Sequence, residues 1–197
     1  MTSAMPVLTT NRLLIRPFVM GDLDSVHGIL DLDFQSVGSA DKPLSREERR
    51  AWLEWSIGNH EQLGKLYQPP YGDKAIALRE ADEVIGVCGF VPCLGPFGQL
   101  PSLRDGESAR ARYSTPEVGL FYAVSRHHRG RGYASEAARA LVDYAFRELK
   151  IPRIIATTTY DNAASVSVMH SLGMIVDHNP YSDPPWLQVV GVLENQD

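Results

Sequence analysis

The chain of 197 residues carries 24 acidic against 19 basic side chains, a formal net charge of −5, and Cys88 and Cys93 as its two thiols. That charge gives no general attraction to nucleic acid or to an anionic membrane surface, and two cysteines do not make a disulfide framework. No basic-then-apolar leader and no apolar run long enough to cross a bilayer is present, so one cytoplasmic domain over 1–197 is expected, burying roughly 70% of its unfolded surface without needing a metal or a disulfide.

In chain order, Leu13, Leu14 and Ile15 between Arg12 and Arg16 read as a first strand, stopped by Pro17. Asp22 offers an N-cap for a helix carrying Leu23, Val26, Ile29 and Leu30 at helical spacing. Ser45 with Glu48 has the form of a capping box, opening a second helix with Trp52 and Trp55 as inward anchors, either as plain core or at a substrate. Asp73 to Leu78 and Val84 to Val91 read as antiparallel strands around the turn from Glu80 to Glu83, with Gly86 and Gly89 allowing close packing. Cys88 and Cys93 have no neighbours at zinc-ligand spacing, so two reduced thiols and no metal are expected. From Pro92 to Pro116 the chain is rich in proline, glycine and charge, including Arg104, Asp105, Glu107, Arg110 and Arg112. Such a stretch is a loop over a substrate site, an interface, or a solvated excursion.

Glu117 to Val124 is a mostly apolar run suited to the middle of a sheet. The basic glycine loop Arg129-Gly130-Arg131-Gly132 follows, and then a helix from Tyr133 to Lys150 with Ala134, Ala137, Ala138, Leu141, Val142, Ala145 and Leu149 on one face. Pro152 separates it from a β-branched strand from Arg153 to Thr159. Asp161 or Asn162 caps a short helix ended by Gly173, and Trp186 to Leu193 reads as a last strand bent back beside the previous one.

The glycine loop bears most directly on function. The first amides of a helix lack intrahelical partners, its dipole favours negative charge there, and glycine lets a phosphate approach the backbone. Arg129 and Arg131 are suited to phosphate oxygens, so a phosphate-bearing ligand is one reading; a tight turn packing helix on strand is the other. Neither Gly-x-x-x-x-Gly-Lys-Ser/Thr nor a third glycine of the dinucleotide fingerprint is present, so ATP, GTP and NAD gain no support.

The order strand, Arg-Gly-Arg-Gly-Tyr-Ala, helix, strand, Asn-x-x-Ser, helix, Leu-Gly-Met resembles the GNAT superfamily of N-acetyltransferases, whose diphosphate loop has the pattern Gln/Arg-x-x-Gly-x-Gly/Ala. Here that pattern falls on Arg129, Gly132 and Ala134. The opening Thr10-Asn-Arg-Leu-Leu-Ile-Arg-Pro-Phe is similar to the first strand of the RimJ/RimL-like subgroup, which acetylates ribosomal-protein N-termini. The resemblance implies an α/β fold with a mixed, mostly antiparallel sheet of about seven strands, splayed between the fourth and fifth and flanked by helices. It implies acetyl-CoA as cosubstrate, with Arg129, Gly130, Arg131, Gly132, Tyr133 and Ala134 at the diphosphate, Tyr122, Ala123 and Val124 along the pantetheine arm, and Asn162 and Ser165 also on that arm. A backbone N–H near Tyr122 to Val124 would act as an oxyanion donor.

Glu117 is the expected general base, since related enzymes place a glutamate at the start of this strand and a partly desolvated carboxylate makes a better base. The alternative is a glutamate paired with an arginine of the preceding loop. The family's tyrosine acid, seven residues after the asparagine, is replaced by Met169, whose thioether donates no proton. Ser165, Tyr160 or a water is left for that role, or the thiolate departs unprotonated, while His170 reads as surface or packing. His127 and His128, before the loop, lie either near the cofactor or on a solvated turn.

Three classes of function follow. The first is acetyl transfer from acetyl-CoA to a primary amine, a protein N-terminus or a small molecule, by direct attack in a ternary complex. The second is a catalytically silent CoA-binding or sensing module. The third, a nucleic-acid-binding domain using Arg126 to Arg131, lacks any accompanying aromatic-basic pattern. A homodimer is common in the family.

Overall fold

In the computed structural model, residues 5–33, 42–104 and 113–196 are described. The strands are β1 (Leu8–Thr9), β2 (Leu13–Arg16), β3 (Gly72–Leu78), β4 (Val84–Gly95), β5 (Thr115–Val124), β6 (Arg153–Thr158), β7 (Ile175–His178) and β8 (Val189–Glu194). The helices are α1 (Leu23–His27), α2 (Arg46–Lys65), α3 (Tyr133–Arg147) and α4 (Ala163–Leu172). One sheet of eight strands runs in the order β1-β2-β3-β4-β5-β6-β8-β7. β1–β2, β2–β3, β3–β4, β6–β8 and β7–β8 pair antiparallel, whereas β5 and β6 are parallel through Val118↔Ile154 and Gly119↔Ile155, in the N-terminal half of β5.

The backbone groups into two compact units, Met1–Phe90 with Phe121–Leu141 and Val91–Leu120 with Val142–Asp197. In the first, Phe18, Leu23, Val26, Leu53, Ala75 and Val87 form the core. The second closes around Phe97, Leu100, Ile155, Leu187, Val190 and Val192. Small residues recur where backbones meet: the Cβ position of Gly86 lies 2.7 Å from the Ala123 carbonyl, so any side chain there would push β4 away from β5.

Several expectations are met at the level of atoms. Ser45 Oγ accepts from the Glu48 amide at 3.3 Å while Glu48 Oε2 accepts from the Ser45 amide at 2.8 Å, which is the capping box of α2. Gly173, at φ 83°, closes α4 in the left-handed conformation that favours glycine. Cys88 and Cys93 are both free thiols, the first buried.

The mixed, mostly antiparallel sheet has eight strands, two of which, the two-residue β1 and the short β7, carry too little alternation to stand out along the chain. β8 lies beside β6, as expected, with β7 on its other side. Other expectations are corrected. Asp22 does not cap α1 through its side chain; its carboxylate accepts from the Val19 amide at 2.9 Å and from Arg16 at 2.8 and 3.0 Å. Trp52 packs on the core edge-on to Phe18, but Trp55 is 60% exposed, since two residues beyond buried Leu53 the helix has turned about 200°. Of the stretch from Pro92 to Pro116, β4 takes the start, and two short 3-10 turns, Phe97–Gln99 and Pro101–Leu103, bury Phe97 and Leu100 in the second core. Asp105, Glu107, Arg110 and Arg112 lie outside the described residues.

Candidate active site

β5 ends at Val124, a 3-10 turn spans Arg126–His128, and Gly130 and Gly132 follow at φ 73° and 77°. Side chains rarely adopt such positive φ, which is why glycine stands at both positions. The Glu136 amide reaches back to the Gly132 carbonyl at 3.0 Å, closing the first turn of α3. The amides of Tyr133 and Ala134 therefore precede the helical ladder and carry the positive end of its dipole. Tyr122, Ala123, Val124 and the whole loop from Arg129 to Ala134 belong to the first unit.

The loop is held from beneath. Arg129 Nε donates to the Val124 carbonyl at 3.1 Å and Arg129 Nη2 to the Asp33 carbonyl at 3.2 Å, so this arginine braces the loop as well as adding charge. The largely buried Asp33 carboxylate accepts from the Arg126 amide at 2.9 Å and the Ser125 hydroxyl at 3.1 Å. The Arg131 side chain is exposed. His127 is exposed, and half-buried His128 tilts toward the Tyr133 ring at 6.3 Å between centroids.

A second set of contacts on α3 was not among the expected site residues. Glu136 Oε1 accepts from the Thr10 hydroxyl at 2.6 Å and the Arg12 amide at 3.0 Å, and Oε2 lies 2.6 Å from both Arg12 Nε and Arg12 Nη2. Burial alone would raise the Glu136 carboxyl; these bonds from Thr10 and Arg12, with the Arg12 charge, outweigh it and hold the carboxyl below its usual range. The same guanidinium donates from Nη1 to the Arg131 carbonyl at 3.0 Å and lies 4.5 Å over the Tyr133 ring. Thr10 and Arg12 stood in the opening strand motif, but only tertiary pairing ties them to a residue 126 and 124 positions on.

Glu117, Asn162 and Ser165 belong to the second unit. The Glu117 side chain is 6% exposed, and both its oxygens accept from Arg153, Oε2 from Nε at 3.0 Å and Oε1 from Nη2; Arg153 Nη1 also meets Glu194 at 3.1 Å. Among the described residues, the arginine partner thus comes from β6. The hydrogen bond to Glu117 raises the Arg153 guanidinium further above its usual range, against burial, with Glu194 adding to the rise. Asn162 caps α4, its Oδ1 accepting from the Ser165 amide at 3.1 Å.

Met169 is fully buried, packed with Met174 over Gly191, so the position of the family tyrosine is core here. The Tyr160 hydroxyl donates to the Asn179 carbonyl at 3.2 Å and its ring stacks on His178. His170 is exposed.

One buried charged cluster has no counterpart among the residues expected from sequence. Lys74, 1% exposed on β3, donates to the Gly72 carbonyl at 3.1 Å and the Pro70 carbonyl at 3.4 Å and lies 3.3 Å from His60 Nδ1 on α2. Burial pushes the Lys74 ammonium down to about 8 against the pull of Asp73 and Cys88. Burial, with the Lys74 charge, pushes the His60 imidazole down to about 4. Burial pushes the Asp73 carboxyl up to about 6 against Lys74 and Arg49. A lone lysine in an apolar strand carries no periodic signal, so nothing local marked it.

Comparison with known proteins gives this arrangement its context. An Acetyltransferase (GNAT) domain model matches residues 12–175. The uncharacterized N-acetyltransferase YjdG of Bacillus subtilis is 33% identical over 190 residues, covering 94% of this chain and 99% of its own. The crystal structure of an acetyltransferase from Agrobacterium tumefaciens superposes with a TM-score of 0.67 at 27% identity, covering 97% of this chain and 95% of the other. RimL, a ribosomal L7/L12 alpha-N-protein acetyltransferase solved with coenzyme A, shares the fold at a TM-score of 0.63 and 17% identity, over 98% of this chain and 100% of its own. A GNAT model matched across most of the chain, around a glycine loop running into α3, makes this protein an acyltransferase that belongs to the GNAT acetyltransferase family.

Proposed function

We propose that this protein moves the acetyl group of acetyl-CoA to a primary amine by direct attack in a ternary complex. The observation that carries the reading is the loop Arg129 to Gly132, two positive-φ glycines opening directly onto the N-terminus of α3 and braced by Arg129. The backbone there offers unpaired donors and a helix dipole to a diphosphate, with Arg131 exposed beside them. The pantetheine arm is proposed to follow the backbone of Tyr122, Ala123 and Val124, with Asn162 and Ser165 meeting it further on.

In the reaction the neutral amine attacks the thioester carbonyl, forming the C–N bond; the C–S bond breaks and CoA leaves as thiolate. The amine's surplus proton goes to Glu117 through water. A carboxylate offers about four acceptor sites, of which Arg153 takes two, so the pair orients the base and leaves room for that water. With Met169 in the core and the Tyr160 hydroxyl given to Asn179, Ser165 is the side chain proposed to hydrogen-bond the departing sulfur. The acceptor is proposed to be a peptide N-terminus or a small amine, the former favoured by the opening strand.

The test is thiol release from acetyl-CoA across a panel of N-terminal tripeptides, polyamines and amino acids, run beside a calorimetric titration with CoA. Turnover with one acceptor class supports the transferase. The buried Met169 favours a second reading, a silent CoA-binding module, which predicts binding without turnover by any amine. Absence of CoA binding would remove both.

A further inference from the structure

We infer that Arg12, joined to Glu136, is a positioning residue that aims the Gly132 amide at the CoA diphosphate; this rests on the diphosphate reading of the loop. One guanidinium reaches both loop and helix, the Glu136 carboxylate at 2.6 Å and the Arg131 carbonyl at 3.0 Å. A trans peptide is planar, with its C=O and N–H on opposite sides. Pinning the Arg131 carbonyl toward Arg12 therefore turns the N–H of the same peptide unit, that of Gly132, to the opposite side. With Gly132 exposed at φ 77°, the glycine leaves this peptide free to rotate unless something holds it. Arg12 holds it.

The other half of the device is electrostatic. Glu136 sits in the first turn of α3, where a carboxylate suits the helix dipole but opposes a bound diphosphate. Thr10, the Arg12 amide and the Arg12 guanidinium together engage both of its oxygens. The Tyr133 ring beneath the guanidinium fixes its plane. The turn before β2 and the cofactor loop are thereby coupled through a single side chain, which gives Thr10-x-Arg12 a reason to stand at the opening of β2.

The test measures CoA affinity by calorimetry and KM for acetyl-CoA against kcat, in wild type, Arg12→Ala, Arg12→Lys, Glu136→Gln and the double variant. Arg12→Ala is expected to weaken CoA and raise KM about tenfold, the size of one charge-assisted hydrogen bond, with kcat at saturation unchanged. Arg12→Lys is expected to recover little, because a point charge does not bridge carboxylate and carbonyl together. Glu136→Gln is expected to raise KM as well, and the double variant to be no worse than Arg12→Ala. A Glu136→Gln variant that binds CoA more tightly would overturn the inference, since Arg12 would then be acting on the phosphate by charge alone. So would an Arg12→Ala variant that melts lower but binds CoA unchanged. If Arg12→Ala does not fold, Glu136→Gln decides by the sign of its KM change. Wild type that binds no CoA sinks the loop reading beneath; wild-type binding with an unaltered Arg12→Ala variant sinks this one alone.

Discussion

Glu117 shows how a single residue holds two meanings until its partner is known. Along the chain it is a carboxylate at the mouth of an apolar strand; in the fold Arg153 engages both its oxygens. Glu117→Gln is expected to lower kcat about a hundredfold with KM for acetyl-CoA unchanged, the range of general-base loss. It should also lower stability by about 1–3 kcal/mol, discounted from a fully buried pair because Arg153 is one-third exposed. A lower melting temperature with unchanged kcat would leave it a structural pair only. Lys74 makes the second prediction. Its folded pKa of about 8 lies below the ordinary 10.5, so between those values the unfolded chain binds more protons and stability rises with pH. Below about 8 the cost of burying the charge is present in full, on the order of 3 kcal/mol at ~1.4 kcal/mol per pKa unit. Cys88, raised by burial, works the other way at high pH, and Asp73 and His60 titrate lower, so the measurement is a difference. Wild type minus Lys74→Met, followed by urea unfolding between the two values, from about pH 8 to about 10.5, is expected to climb; a flat difference would show that Lys74 is not desolvated in solution.

At the scale of the element, α4 and the glycine loop show what spacing alone can and cannot disclose. Asn162 was legible both as a helix cap and as a cofactor contact, and the cap is realised through the Ser165 amide at 3.1 Å. Asn162→Ala is expected to cost about 1 kcal/mol, while Asn162→Asp keeps the acceptor oxygen and most of the stability. Asp lacks the amide donor, so a raised KM for acetyl-CoA in Asn162→Asp marks a ligand contact beyond the cap, and an unchanged KM limits the residue to capping. The loop's glycines and the alanine face of α3 were readable because turn chemistry and the 3.6-residue period are local. The strut from Arg12 was not, because its partners are brought together by strand pairing. Trp55, Phe97 and Leu100 show the same limit: one apolar residue is left outside and two are taken in, and sequence distance does not say which.

For the molecule as a whole, binding of CoA to the folded chain alone should stabilise it by mass action. At a CoA concentration of 100 Kd the gain is about 2.7 kcal/mol, a rise of roughly 5–10 °C in Tm for a chain of this size. Thermal unfolding with and without CoA reads it directly, and no shift at saturating CoA would contradict the cofactor assignment. The residues by themselves determined the order of the major elements and the glycine loop with its helix, since these rest on short-range rules of capping, turn conformation and periodicity; the α/β class and the family followed from the resemblance that those motifs carry. The tertiary structure decided the partners: Arg153 for Glu117, Met169 in the core, Lys74 buried at β3, and Arg12 against Glu136. Those pairings join residues tens to more than a hundred positions apart, and only the closing of the sheet, which brings distant backbones within hydrogen-bond reach, selects among the many partners that charge and shape permit.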